Sequence, residues 1–195
     1  MQKLYLTNRS KGSPKILCLG AHGDDIEIGC GGTILRLLSE RPDTEVQWVV
    51  FSSKGRRKAE ALASAKKFLA AAKKQSIVIE DFRDGFFPFR GGRIKEYFEK
   101  LKRRPHPDLI FTHCRHDLHQ DHRLISELTW NTFRDHLILE YEIIKYDGDL
   151  GSPNLFVHLS RATCDKKIDH IRLDCIGRGE GGLELWWVAR AFDDD

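Results

Sequence analysis

At 195 residues, with 41% hydrophobic and 31% charged, the chain has an ordinary soluble composition and enough length for one domain with a substantial core. The net charge of +3 is mild, and its Lys and Arg are spread along the chain with no interleaved aromatic pattern, which argues against a nucleic-acid binder. No apolar run approaches membrane-spanning length. The five cysteines (Cys18, Cys30, Cys114, Cys164 and Cys175) are odd in number and form no CxxC pair, so neither a disulfide framework nor a zinc ribbon is indicated. Reduced thiols fit a cytoplasmic protein, as does a stretch from Met1 to Pro14 without an apolar core of signal-peptide length.

In chain order, residues 1–13 are polar, and Lys15 to Gly20 read as a first strand that is apolar on both faces, as a central parallel strand requires. A loop carrying His22 to Glu27 follows. Gly29, Gly31 and Gly32 are expected to let the backbone turn sharply and approach a ligand. Thr33 to Glu40 then read as a helix, closed by Pro42. Thr44 to Phe51 is a second apolar run rich in strand formers. Arg57 to Lys74 is a helix, because Leu62, Ala65, Phe68, Leu69 and Ala72 share one face. Ile77 to Ile79 is a short third strand. The aromatic, glycine-rich stretch Phe82 to Gly92 reads equally as a loop flanking a site or as a hydrophobic plug over the sheet. Ile94 to Lys102 form a helix with Ile94, Tyr97, Phe98 and Leu101 on one face.

Pro107 to Thr112 is a fourth strand, opening onto His113-Cys114-Arg115-His116-Asp117-Leu118-His119-Gln120-Asp121-His122. A helix over roughly 121–135 follows, with Leu124, Leu128 and Phe133 as core contacts. Leu139 to Tyr146 and Leu155 to Leu159 read as further strands. Strands alternating with helices predict an α/β fold with a doubly wound, mainly parallel sheet. Ligands in such folds sit at the carboxyl ends of strands. The two polar clusters follow strands one and four, so they are expected to face each other.

Their chemistry points to a metal. His22 and Asp25 are separated by two residues in a turn, and two adjacent carboxylates there repel unless something offsets their charge. His122 would complete a two-His, one-Asp set with an open position for water. Such an ion lowers the pKa of water and polarises a carbonyl. Asp24 is then placed as general base. His119 could protonate a leaving group or, charged, stabilise an oxyanion. Asp121 could orient an imidazole, most plausibly that of His119. A lone His-Asp-Asp turn or a lone HxxH is more often a cap or a surface feature, and it is the combination that carries weight. His106, His113, His116 and His136 read as surface or packing residues, and Cys30 and Cys114 as small buried hydrophobes. The glycines after strand one do not form GxGxxG, and carboxylates stand where a pyrophosphate would need bare amides.

Ala21-His22-Gly23-Asp24-Asp25-Ile26-Glu27 with Gly31-Gly32 resembles the AHPDDxE…GG motif of the LmbE-like family, which includes the GlcNAc-phosphatidylinositol de-N-acetylases. His119-Gln120-Asp121-His122 resembles its HxDH motif. Pro107-Asp108-Leu109-Ile110-Phe111, Arg57-x-x-Glu60-Ala61 and Asp84-Gly85 are similar as well. The likeness spans about residues 15–130. It implies a Rossmann-like three-layer sandwich, one zinc ion per chain held by His22, Asp25 and His122, and hydrolysis of an N-acetyl group from a glucosamine moiety. By the same resemblance Asp24 is the base and His119 the transition-state stabiliser, while Arg57 and Asp84 hold sugar hydroxyls. The implied partner is a small N-acetylated sugar conjugate, and a homo-oligomer is left open. A metal-dependent amidase acting on another amide and a non-catalytic α/β binding module are the alternatives. Two departures stand out: Gly23 replaces the motif's proline, and beyond about residue 160 the chain reads as a divergent or shortened tail.

Overall fold

The computed structural model describes residues 12–175. Five strands form one sheet: β1 (Lys15–His22), β2 (Glu45–Ser52), β3 (Lys74–Ile79), β4 (Leu109–His113) and β5 (Ile138–Tyr141). Their spatial order is β3-β2-β1-β4-β5, and every pairing is parallel. The helices are α1 (Asp25–Gly29), α2 (Gly31–Glu40), α3 (Gly55–Phe68), α4 (Gly91–Lys102), α5 (Gln120–Thr132) and α6 (Arg161–Cys175), with a 3-10 turn at Phe87–Arg90. This is the α/β, parallel-sheet architecture that the alternating pattern predicts, layered as the resemblance implies. No helix among the described residues is long and apolar enough to cross a membrane.

The central strand explains the layering. Side chains alternate across a strand, so Ile16 and Cys18 enter one core while Leu17, Leu19 and Ala21 enter the other. The first core receives Ile34, Leu35 and Leu38 from α2 and Ala61, Ala65 and Phe68 from α3, with Ile171 of α6 packed against it. The second receives Ile94, Phe98 and Leu101 from α4 and Ile125 from α5. Phe51 anchors this second layer, its ring stacked on Phe98 at 5.4 Å between centroids. Each buried side chain of this size contributes about 1.5–3 kcal/mol of transfer free energy.

The chain lays down β1, β2 and β3 to one side, then returns to set β4 on the opposite flank of β1. The crevice between the C-terminal ends of β1 and β4 is therefore the topological switch point, where doubly wound sheets bind ligands. His22 ends β1 and His113 ends β4.

Several boundaries differ from expectation. The glycine stretch after β1 is helical, split into α1 and α2 at Cys30 (φ −133°). None of Gly29, Gly31 and Gly32 has positive φ; among the described residues the positive-φ glycines are Gly12, Gly55, Gly85 and Gly148. These three are needed for space: a Cβ on Gly31 would sit 2.6 Å from Phe68, and one on Gly32 2.5 Å from Leu159. The third strand starts at Lys74, because α3 ends at Phe68 rather than running on. The expected strand over 139–146 shrinks to β5, and the one over 155–159 is absent: that segment is irregular, with Phe156 and Leu155 exposed. The aromatic stretch is both loop and plug, since Phe87 is fully buried while Phe89 is exposed. Residues 161–175 form a helix. The last twenty residues of the tail lie outside the described residues.

Candidate metal centre

Among the described residues, the His, Asp and Glu groups close enough to share an ion converge on one place. They are His22 with His119 and His122, Asp25 with His113 and His122, and His22 with Asp84 and Asp121. Of these, His22, Asp25, Asp84, His119 and His122 line a cleft of about 550 Å³ at the switch point, together with Asp24, Ser53, Arg57, Ile143 and Lys145, while His113 and Asp121 are fully buried behind it. That volume lies within the usual range for small-molecule sites.

Three donor atoms form a near-equilateral triangle. His22 Nδ1 is 3.2 Å from His122 Nε2 and 3.4 Å from Asp25 Oδ2, and His122 Nε2 is 3.5 Å from Asp25 Oδ2. A tetrahedral ion with bonds of about 2.0–2.1 Å has ligand–ligand edges of about 3.3 Å. The triangle therefore fits a tetrahedral cation with one position open. Asp25 Oδ2 accepts the His22 N–H at 2.6 Å and keeps a second lone pair for an ion, whereas the competing sets rely on imidazole nitrogens whose single lone pair is taken or on a carboxylate with both oxygens engaged. His113 Nε2 accepts the Ala21 N–H at 2.9 Å. The Asp121 carboxylate accepts N–H groups from Gly85 at 2.7 Å and Phe87 at 3.0 Å. His119 Nδ1 accepts the Asp121 N–H at 3.3 Å as the N-cap of α5.

Each imidazole of the triangle presents its other nitrogen to a carboxylate. His122 Nδ1 is 2.8 Å from Asp117 Oδ2. His22 Nε2 is 3.1 Å from Asp84 Oδ1 and 3.4 Å from Asp121 Oδ2. Carboxylate–imidazole pairs of this kind fix the tautomer and orientation of metal-binding histidines. Asp121 thus reaches His22 rather than His119, which differs from the expected pairing. The reason is backbone geometry: Asp121 sits in the first turn of α5, where the 85–87 loop supplies two N–H donors and aims the carboxylate across to β1. Asp117 was not singled out by sequence reasoning. Its only signal is a carboxylate two residues before His119 in a dense ionisable stretch.

The electrostatics follow from burial and partners. Burial alone would depress the His22 imidazole, but the hydrogen bonds and charges of Asp121, Asp25 and Asp84 overcome it and push it up to about 11 in the metal-free protein. Asp25 is buried, which works against its charge, yet the surrounding imidazoles hold it well below the usual carboxylate range. Asp117 is also buried, and His122, the His119 N–H and Lys145 bring it down to about 2. Burial pushes His113 down to about 4, against the pull of Asp25, so it is a neutral packing residue under the site, stacked on His122 at 4.0 Å. Burial and the neighbouring His122 and His22 also lower His119. With Nδ1 accepting from the backbone, neutral His119 carries its proton on Nε2. Burial raises Glu27 to about 8, against the pull of its own backbone N–H and the Ser64 hydroxyl.

The remaining expected residues all reach the same cleft. Asp24 is the N-cap residue of α1 without a side-chain capping bond, and it lines the cleft. Arg57, in the first turn of α3, and Asp84, whose side chain is 63% exposed, form the outer wall. Gly23 lies against α3, where an added Cβ would be 3.1 Å from Ala61 Cβ. Cys30 is buried, as expected for a small hydrophobe, and Cys114 is half-buried.

A doubly wound sheet with a two-His, one-carboxylate triangle and an adjacent carboxylate at its switch point defines an α/β protein whose buried His/Asp group could hold a metal ion. Residues 17–133 match the family model described as PIG-L, GlcNAc-PI de-N-acetylase, and the chain belongs to that family. No curated protein matches it in sequence. Solved structures share the fold. N,N'-diacetylchitobiose deacetylase from Pyrococcus horikoshii is 21% identical, with a TM-score of 0.64 over 92% of this chain and 76% of that one. The A40926 pseudoaglycone deacetylase is 16% identical, with a TM-score of 0.66 over 92% of each chain. A 4-carboxy-2-hydroxymuconate hydratase from Pseudomonas putida KT2440 is 18% identical, with a TM-score of 0.62 over 91% of this chain and 83% of that one. One fold thus carries different chemistries, and the site has to decide.

Proposed function

We propose that this protein is a zinc-dependent N-deacetylase acting on an N-acetylglucosamine-type sugar conjugate. The observation that carries the reading is the triangle of His22 Nδ1, Asp25 Oδ2 and His122 Nε2, with Asp24 on the same cleft wall, in a chain of this family. Two imidazoles and one carboxylate suit zinc. A cation held there supplies Lewis acidity, lowering the pKa of water and polarising the amide carbonyl.

The chain's own residues do the rest. Asp117 and Asp121 orient the two imidazoles. Asp24 takes a proton from the attacking water. Neutral His119 turns its Nε2–H toward the oxyanion that develops on the carbonyl oxygen. The new C–O bond forms, the C–N bond breaks, and the proton passes to the leaving amine, giving acetate and a free amino sugar. Arg57 and Asp84, which line the same cleft, would meet sugar hydroxyls.

The test is acetate release from N-acetylglucosamine compounds by the zinc-loaded protein, with Asp24→Ala alongside. The variant should lose turnover by at least a hundredfold while its zinc content stays at one ion per chain. Loss of zinc in Asp24→Ala would mean that the roles of Asp24 and Asp25 are exchanged. Stoichiometric zinc without cleavage of any amide would favour a binding module.

A further inference from the structure

We propose that Lys145 is a positioning residue that couples occupation of the cation point to the wall of the substrate cleft. The inference rests on the preceding reading only in requiring that His22, Asp25 and His122 take a divalent cation. Lys145 lies on the irregular segment that follows β5, 23 residues beyond His122 in the chain. Its side chain is 15% exposed and lines the cleft beside Ile143 and Ile144.

One ammonium gathers three carboxylates. Lys145 Nζ is 3.1 Å from Asp117 Oδ1, bonds the Asp149 carboxylate, and is 3.7 Å from Asp147 Oδ2. Each of the first two carboxylates is tied in turn to the loop between β4 and α5. Asp149 Oδ2 accepts the Leu118 N–H at 2.6 Å, and Asp117 Oδ1 accepts the His119 N–H at 2.7 Å. Asp117 spends its other oxygen on His122 Nδ1 at 2.8 Å. The path from Lys145 to Asp117 to His122 is therefore continuous, and it ends on Nε2, the atom of His122 that faces the cation point.

Lys145 has two effects through this path. Asp117 is a buried carboxylate, and without a cation on Oδ1 its charge would be poorly compensated and its orientation less fixed. By holding Oδ1, Lys145 keeps Oδ2 aligned with His122 Nδ1–H, which leaves the Nε2 lone pair for the metal. The reverse also holds, because coupling between two events is reciprocal. A cation that fixes His122 fixes Asp117 and Lys145, and with them the stretch that carries Ile143 and Ile144. An exposed Lys–Asp pair would be too weak for this, but here the carboxylate is buried and belongs to a hydrogen-bonded network.

The experiment measures zinc affinity against a competing chelator, and hydrogen exchange over residues 143–150, in wild type, Lys145→Met, Lys145→Arg, Asp117→Asn and the Lys145→Met/Asp117→Asn double variant. Lys145→Met should weaken zinc about tenfold, at the lower end of losses seen for outer-shell partners, and Lys145→Arg should restore part of it. The double variant should bind no more weakly than Asp117→Asn alone, since Lys145 acts through Asp117. Zinc should slow exchange over 143–150 in wild type, a comparison that needs no variant, and should lose that effect in Lys145→Met. Unchanged zinc affinity in Lys145→Met, independent losses in the double variant, or wild-type exchange indifferent to zinc would each overturn the proposal. Failure to release acetate while these couplings hold would sink the deacetylase reading alone. A wild type that binds no divalent cation would sink both.

Discussion

The imidazole of His22 carries the sharpest consequence of the site's electrostatics. Burial opposes its charge, but three carboxylates hold its pKa at about 11, so the metal-free protein is protonated at neutral pH on the nitrogen that the cation needs. On the proposed ligand set zinc would have to displace that proton, so that binding is linked to its release. Calorimetric titration at pH 7 in two buffers of different ionisation enthalpy should therefore show about one proton released per zinc. The apparent affinity should rise about tenfold per pH unit through the neutral range. For the metal-free fold the sign reverses. A raised pKa stabilises fully below the ordinary imidazole value of 6.5, and that contribution is lost as pH climbs toward about 11. Zero proton release would mean that His22 is already neutral and that its carboxylate partners do not act as described. That His22, Asp25 and His122 come together could be read from sequence because both clusters follow strands that flank the switch point. The partners Asp117 and Asp121 were harder, because they depend on how the start of α5 is turned. A contact between His22 and Asp121, 99 residues apart, leaves no trace in local spacing.

Among the elements, the glycines after β1 show where local reading and packing diverge. Glycine suggests a turn when only the chain is in view, but Gly29 is helical, and its lack of a side chain makes room for β5. A Cβ there would lie 2.2 Å from the Tyr141 ring, whose hydroxyl donates to the Leu19 carbonyl at 2.7 Å. Tyr141 is pinned on both sides and cannot yield cheaply. Gly29→Ala should therefore destabilise by about 1–3 kcal/mol despite the better helix propensity of alanine. Gly92, in α4, has nothing within 4 Å of an added Cβ, so Gly92→Ala should stabilise by about 0.5–1 kcal/mol. Urea melts of the two variants should shift in opposite directions, and a shared sign would refute the packing argument. Helix α6 escaped notice for a related reason. Its apolar residues Ile168 and Ile171 make a weak stripe, while Lys167 reaches across to the Ile28 carbonyl at 2.7 Å. The readable cue was Ser160, whose hydroxyl and carbonyl accept from the Thr163 N–H at the helix start. The expected strand at 155–159 does not form: the segment is irregular and pairs with neither edge strand, β3 or β5, so apolar content alone was a poor guide there.

At the level of the whole molecule, the layered α/β plan was legible because strand and helix periods alternate plainly from Lys15 to Thr132. The consequence that matters is where the chain reverses. The switch point brings His22 and Asp25 from the end of β1 and the start of α1 against His122 from α5, so one cation would bridge segments 97 residues apart in sequence, across two neighbouring strands that pair only at Ile16–Cys18. A ligand that binds the native state alone stabilises it by RT ln(1 + [L]/Kd), about 2.7 kcal/mol at a free concentration one hundred times Kd. For a chain of this size each kcal/mol moves the melting midpoint by about 2–4 °C, so zinc should raise Tm by roughly 5–10 °C and a chelator should reverse it. His122→Ala removes the one proposed ligand on α5 and should abolish the shift, whereas Asp24→Ala, which keeps all three proposed ligands, should retain it. Acid should act in the same direction as the chelator. Asp117 has its pKa drawn down to about 2, so its contribution is present above the ordinary value of 3.8 and is lost as pH falls toward 2. The grip on His122 therefore fails at the acid end even where zinc is plentiful. An equal zinc-induced shift in wild type and His122→Ala would show that the ion sits elsewhere, and the bridge across the switch point would be refuted.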